Sequence, residues 1–116
     1  MPDQDKRRSE RAIPFVSDED VVIIHRRDSS DVLAKMMDLS EVGSLVYLFD
    51  DVDIAGSAEL SLYQQGKIFR VSATIIRKNG RLVAFDFGSK SEEAAREIRS
   101  KLIRMEVEWM RISDRR

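Results

Sequence analysis

Ile68-Phe69-Arg70-Val71-Ser72-Ala73-Thr74-Ile75-Ile76-Arg77, then Lys78-Asn79-Gly80, then Arg81-Leu82-Val83-Ala84-Phe85-Asp86-Phe87, is the stretch on which the fold turns. Asn-Gly between two strand-like runs is the strongest short-range hairpin signal, because both residues tolerate the left-handed backbone of a tight turn. In the second run Leu82, Ala84 and Asp86 share one face, and Val83, Phe85 and Phe87 share the other. The aromatic face is the core candidate, since burying a phenylalanine is worth about 1.5–3 kcal/mol. By the same argument Tyr47, Tyr63 and Phe69 are assigned to the core rather than to a surface that stacks bases.

Similar runs lie upstream. Val21-Val22-Ile23-Ile24-His25 is β-branched and reads as a strand, and Asp28-Ser29-Ser30-Asp31 as a turn returning the chain into Val32-Leu33-Ala34-Lys35-Met36-Met37. Leu45–Phe49 is a further strand, ended by the acidic turn at Asp50, Asp51 and Asp53. Ala58–Leu62 alternates, with Ala58, Leu60 and Leu62 inward and Glu59 and Ser61 on a face expected to be wet. Ile13-Pro14-Phe15-Val16 is biased toward extended geometry by its proline.

The period changes near residue 88. Gly88 is a break, Ser89 and Ser91 are both candidate N-caps, Ser89 and Glu92 have the spacing of a capping box, and Ala95, Ile98, Leu102, Met105 and Trp109 recur every three or four residues, with Ala94 and Ile103 widening the stripe. Several short antiparallel strands followed by one helix predict a small barrel or strongly curled sheet with a helical lid. The expected organisation is a mobile, charged leader over 1–12, the barrel and helix over 13–110, and a charged tail over 111–116.

With 116 residues, 42% of them hydrophobic, the chain suits one cored domain. Its 20 Lys+Arg against 21 Asp+Glu leave a net charge of -1, which argues against a non-specific DNA or RNA binder. An anion site would have to be local. The absence of cysteine excludes a disulfide framework and suits the cytoplasm. No apolar run approaches the roughly 20 residues needed to cross a bilayer, so an integral membrane protein is not expected. His25 is the single histidine; a multi-histidine zinc site is excluded, no metal site is expected, and the residue is assigned to strand-end packing or to the surface. Walker, Gly-x-Ser-x-Gly and His-Glu-x-x-His motifs are absent, so no catalytic residues are assigned and an enzyme is not expected.

Two polar groups remain. Arg7 and Arg11 provide two planar forks able to meet phosphate or a guanine edge, although a basic leader alone reads more readily as a solvated tail. Asp38-Leu39-Ser40-Glu41-Val42-Gly43 supplies a carboxylate, a hydroxyl and a glycine. Asp38 and Ser40 are natural turn formers, and Gly43 suits a positive φ or a close backbone approach. Alternatively, Asp38 accepts from a base N–H edge and Ser40 bonds a phosphate or base heteroatom.

The Arg-x-x-x-Arg motif of Arg7 and Arg11, the Asp-x-Ser-x-x-Gly motif of Asp38, Ser40 and Gly43, the strands Phe69 to Arg77 and Arg81 to Phe87, and the closing helix from about Ser91 together resemble the PilZ domain family. The resemblance implies an all-β fold, a six-stranded antiparallel β-barrel with a C-terminal α-helix. It also implies a regulatory ligand, cyclic di-GMP, with no further cofactor. Arg7 and Arg11 would clamp guanine edges and phosphates, with Arg8 an additional candidate, and Asp38, Ser40 and Gly43 would line the barrel beneath a guanine. Binding would order the leader and alter contacts with a downstream protein partner. Ala84 stands where the family often has glycine, Ser44 where a second glycine or a small apolar residue is common, and Glu41 adds negative charge near the site. The competing reading is a nucleotide-independent adaptor, a protein-interaction module, in which the Met105/Trp109/Met110 end of the helix forms a homodimer.

Overall fold

The computed structural model describes residues 18–114. A 3-10 turn at Asp18–Asp20 leads into β1 (Val21–His25), β2 (Val32–Leu39), β3 (Gly43–Leu48), β4 (Ser57–Gln64), β5 (Lys67–Asn79) and β6 (Leu82–Asp86), and α1 (Glu92–Asp114) follows. The six strands close into an antiparallel barrel in the order β1-β2-β3-β6-β5-β4. Two three-stranded meanders, β1-β2-β3 and β4-β5-β6, are thus joined along two seams, β3 with β6 and β1 with β4. Ile13–Val16 lies outside the described residues.

The alternation read from the sequence fills this barrel. Val22, Ile24, Val46, Leu48, Leu60, Leu62, Val83, Phe85 and Phe87 are buried inside it. Tyr47 is a correction: it is 40% exposed, on the outer face, with the Arg81 guanidinium 5.8 Å from its ring centroid. Ser61 also departs from expectation, being buried on a face expected to be wet. The Asn-Gly hairpin is present but centred one residue later. Asn79 pairs with Leu82, leaving Gly80 and Arg81 as the loop, with Gly80 at φ 63° as the first loop residue.

The helix begins at Glu92 and is capped by Ser91, whose Oγ accepts the Ala94 N–H at 3.0 Å, so the Ser89/Glu92 capping box does not form. It continues to Asp114, past the boundary at 110 set from the sequence. Ala94 and Ile98 are buried against the barrel and Leu102 packs beside them, while Ile103 is 63% exposed and does not belong to the packed stripe. Lys67 and Glu97 pair at 3.4 Å where the helix passes β5.

Lys101 lies in the packed face, 2% exposed. Its Nζ donates to the Tyr63 carbonyl at 2.6 Å, the Glu19 carbonyl at 2.7 Å and Glu19 Oε1 at 3.2 Å. All three ammonium donors are therefore met, which makes this burial tolerable. Lys101→Ala would leave two carbonyls and a carboxylate without their donor. A loss of about 2–4 kcal/mol is expected in urea unfolding, and a loss below about 0.5 kcal/mol, the size of an ordinary surface change, would show that the ammonium does not hold the helix.

Candidate functional site

Strand register decides which polar side chains share the outer face near the β2–β3 turn. In a regular β2, Asp38 would point inward with Met36 and Ala34. Instead the register shifts between Met36 and Asp38: Met36 pairs with Val46 and Asp38 with Leu45, so Met37 is an extra residue. This β-bulge leaves Met37 and Asp38 both exposed and returns Leu39 to the core. Asp38 is therefore a bulged strand residue, where the sequence had suggested a turn.

One oxygen of Asp38 is occupied locally, Oδ1 accepting the Leu39 N–H at 2.8 Å. Its carbonyl accepts from the buried Ser44 hydroxyl at 2.8 Å, so Ser44 pins the bulge to β3. Ser40 closes the turn: its N–H donates to the Gly43 carbonyl at 2.8 Å, while its Oγ accepts the N–H groups of Val42 and Gly43 at 3.2 Å each. The Ser40 hydroxyl lies 3.4 Å from the Gly43 carbonyl, long enough that its proton is poorly used within the turn. Ser40 thus has the turn-forming role read from the sequence, whereas Asp38 bonds locally from within the bulged strand, and both are exposed.

Gly43 needs neither a positive φ nor a ligand to account for it. A Cβ built there would lie 2.2 Å from the carbonyl oxygen of Phe85 across the β3–β6 seam. The close approach is between two strands, and Phe87 N–H donating to the Val42 carbonyl at 2.8 Å extends the same seam.

The pairings run Asp38 to Leu45, Leu45 to Ala84, and Ala84 to Arg77, one outward-facing row across β2, β3, β6 and β5. A second bulge, between Ile75 and Arg77, aligns Arg77 with this row. Three inter-strand steps, roughly 14 Å, separate the carboxylate-bearing and guanidinium-bearing positions. Leu45 and Ala84 form a low apolar floor between them. Asp86 and Thr74 pair in the next row beside Gly43. Sequence reading passed over Arg77 because strict alternation gives it the inward parity of Phe69, Val71, Ala73 and Ile75, and only the bulge before it turns it outward into the row of Asp38.

Arg7, Arg8 and Arg11 lie outside the described residues. The position where the chain joins the barrel is described: Val21, at the start of β1, pairs with Lys35, three residues before Asp38. The described chain therefore enters the barrel at the same end as the Asp38–Gly43 turn.

His25 lies near the other end. Its Nε2 is 2.7 Å from Ser61 Oγ, and its Nδ1 is 3.2 Å from Asp31 Oδ1. Serine, histidine and aspartate at such distances have the order of a hydrolytic relay, but Ser61 is 3% exposed and its hydroxyl is covered. The three residues clasp the β1–β4 seam, in keeping with the packing role assigned to His25. Among the described residues, no three His, Cys, Asp or Glu side chains come together as a metal site. Nor is any described helix long and apolar enough to cross a membrane.

A family model described as PilZ domain matches residues 5–104. Among solved structures, the chain is similar to the crystal structure of the PilZ domain of CeSA from a cellulose synthesizing bacterium, with a TM-score of 0.61 and 19% identity over 74% of this chain and 91% of that one. At that identity the likeness concerns the fold. No curated protein matches the chain.

The Gly43 geometry gives a test that needs no ligand. Gly43→Ala should weaken the β3–β6 seam by about 1–3 kcal/mol, lowering the apo melting temperature by several degrees. An unchanged melting temperature would show that the seam can part to admit the methyl group.

Proposed function

Because this chain belongs to the PilZ domain family, we propose that it is a receptor or effector domain for cyclic di-GMP that turns binding into a conformational or interaction change. The observation that carries this reading is the shared end of the barrel: β1 begins beside the Asp38–Gly43 turn, so a leader joined to it needs little length to fold back over that turn. From Arg11 to Val21 the chain can span at most roughly 33–36 Å, ample for the purpose.

In this reading Arg7 and Arg11 hold guanine edges and phosphates through bidentate bonds, with Arg8 as a further cation. Asp38 accepts from the guanine N1/N2 edge with the oxygen not engaged by Leu39, and Ser40 offers its hydroxyl proton. Gly43 keeps the turn low by allowing the β3–β6 approach. A base would lie on Leu45 and Ala84, and Arg77 would approach from the far side of that floor. Two phosphates held by a local arginine cluster are compatible with a net charge of -1. Cyclic di-GMP acts here as a regulatory ligand: no bond is made or broken in it, and no other cofactor is assigned. The reading places the domain in the cytoplasm, assigns it no DNA or RNA partner, and gives it a downstream protein that responds to the leader's position.

Calorimetric titration with cyclic di-GMP tests it. Arg7→Ala and Arg11→Ala should each lose about 1–3 kcal/mol of binding, roughly 5- to 150-fold, while unfolding free energy stays within about 0.5 kcal/mol of the parent. Asp38→Ala should lower affinity and narrow the preference over cyclic di-AMP. A parent that takes up no nucleotide would reject the receptor reading, and arginine variants of parental affinity would reject the assigned roles.

A second reading, the interaction module, is favoured by the helix beyond the barrel. Ile103, Val107 and Met110 are exposed there. Arg104, Glu106, Glu108 and Arg111 cancel in charge over the same stretch, so two copies can meet without net repulsion. The occupant proposed is a second copy of this chain. Sedimentation equilibrium should show dimer for the parent and monomer for Ile103→Lys; a monomeric parent at high concentration would exclude it.

A further inference from the structure

We propose that the end of the barrel opposite the Asp38–Gly43 turn carries a second binding site, built for a small phosphate-type oxyanion, with Arg26 and Arg27 as its cations. This goes beyond the receptor reading and does not depend on it. The two ends are separated by the eight residues of β2, roughly 26 Å.

Arg26 follows the last residue of β1 and is half-buried. Its Nε donates to the Ser30 carbonyl at 3.0 Å, and its Nη1 donates to the Asp53 carbonyl at 3.3 Å. Both acceptors are neutral backbone oxygens, so the guanidinium is fixed without being neutralised. No carboxylate lies within ion-pairing distance of it among the described residues. Of its five donors, three are left over, including both on Nη2. Holding such a side chain in place beforehand removes much of the ordering cost that binding would otherwise carry.

Arg26 lines a surface cavity of about 380 Å³ together with His25, Arg27, Ser57, Glu59 and Ser72. Arg27 is exposed and, among the described residues, likewise without an ion-pair partner. Ser57 and Ser72 add hydroxyls, which can donate to or accept from a protonated or ionised phosphate. Glu59 is the carboxylate on this wall, and Arg70 holds it at 2.8 Å, so its charge is already met. Asp31 faces the His25 ring from outside the cavity.

The charge balance sets the size of the ligand. An adjoining recess of about 260 Å³ shares Arg26, Arg27 and Ser57, is walled by Ile24, Ile54 and Ile75, and bears Asp53. That carboxylate offsets part of the positive charge. Two guanidinium groups less one carboxylate suit a single phosphate, free or as a monoester with a short organic tail lying along the isoleucines. A polyphosphate or a nucleic-acid backbone would need more cations than the site has.

The full chain, with arginine side-chain and backbone amides followed by NMR, provides the test. Inorganic phosphate, glycerol 3-phosphate and succinate are titrated separately at constant ionic strength. Saturable shifts are expected at Arg26 Nε, Ser57 and Ser72 with affinity about millimolar, near -4 kcal/mol. Phosphate and the monoester should bind alike if the phosphate group alone is read, the monoester more tightly if the isoleucine recess contributes, and succinate at least several-fold more weakly than either. Arg27→Gln should weaken binding several-fold and Arg26→Lys should do so without unfolding the loop, while Arg77→Ala should leave it unchanged. Shifts that fail to saturate, that centre on Ser40 to Gly43, or that persist in both Arg26 and Arg27 variants would overturn the site. The cyclic di-GMP titration stands apart from every one of these outcomes.

Discussion

The ammonium of Lys101 is the point on which the end of the barrel where β1 starts and β4 finishes depends. It bonds the Tyr63 carbonyl near the end of β4, the Glu19 carbonyl just ahead of β1, and the Glu19 carboxylate beside them. These acceptors belong to segments 38 and 82 residues away in sequence. A hydrophobic side chain at this position could bury as much area but could not satisfy two carbonyls that the closing helix removes from water. The helix is therefore fixed in both position and rotation: turning it would leave a charge buried without partners. Glu19 is committed further, because its second oxygen accepts the Gln65 N–H at 2.8 Å and thereby ties in the β4–β5 turn. The segment through which the leader joins the barrel, the lid and one hairpin are thus held by a single group.

Register does comparable work on the outer face. Two bulges, at Met37 and at Ile76, each insert one residue opposite the β3–β6 pair, and both turn a polar residue outward into the same row. Backbone irregularity commonly marks the part of a sheet that carries function, because it re-aims a side chain without disturbing the pairing on either side. Here the cost is contained by Ser44, whose hydroxyl holds the bulged backbone.

Much of the architecture was legible because alternation is a local property. Val83, Phe85 and Phe87 declare an inner face by themselves, and the break at Gly88 announces the helix that follows. What escaped was set by contacts distant in sequence. Lysine is seldom buried unless paired, and the acceptors that pair Lys101 lie 38 and 82 residues away, so nothing near it in sequence marks it as buried. Tyr47 looked like core by composition, yet its parity on β3 turns it out beneath Arg81. The hairpin moved by one residue because the loop took glycine at its first position, a choice fixed by the pairing of Asn79 with Leu82. Among the site residues, Asp38, Ser40 and Gly43 were found as a motif, but the reason for Gly43, a carbonyl on a strand more than forty residues later, lies outside any local window. Arg77 was missed for the same reason.

Closure of the sheet has a consequence for recognition. Among the described residues every strand has a neighbour on both sides over part of its length, and an extended peptide finds an unpaired strand edge chiefly along Lys67–Ala73 of β5, which β4 alone borders. Main-chain templating, the cheapest way for one protein to seize another, is largely confined to that stretch. Whatever engages the fold elsewhere must read side chains on the curved wall, the turns at the two rims or the projecting end of the helix, and such reading is sensitive to sequence in a way that backbone pairing is not.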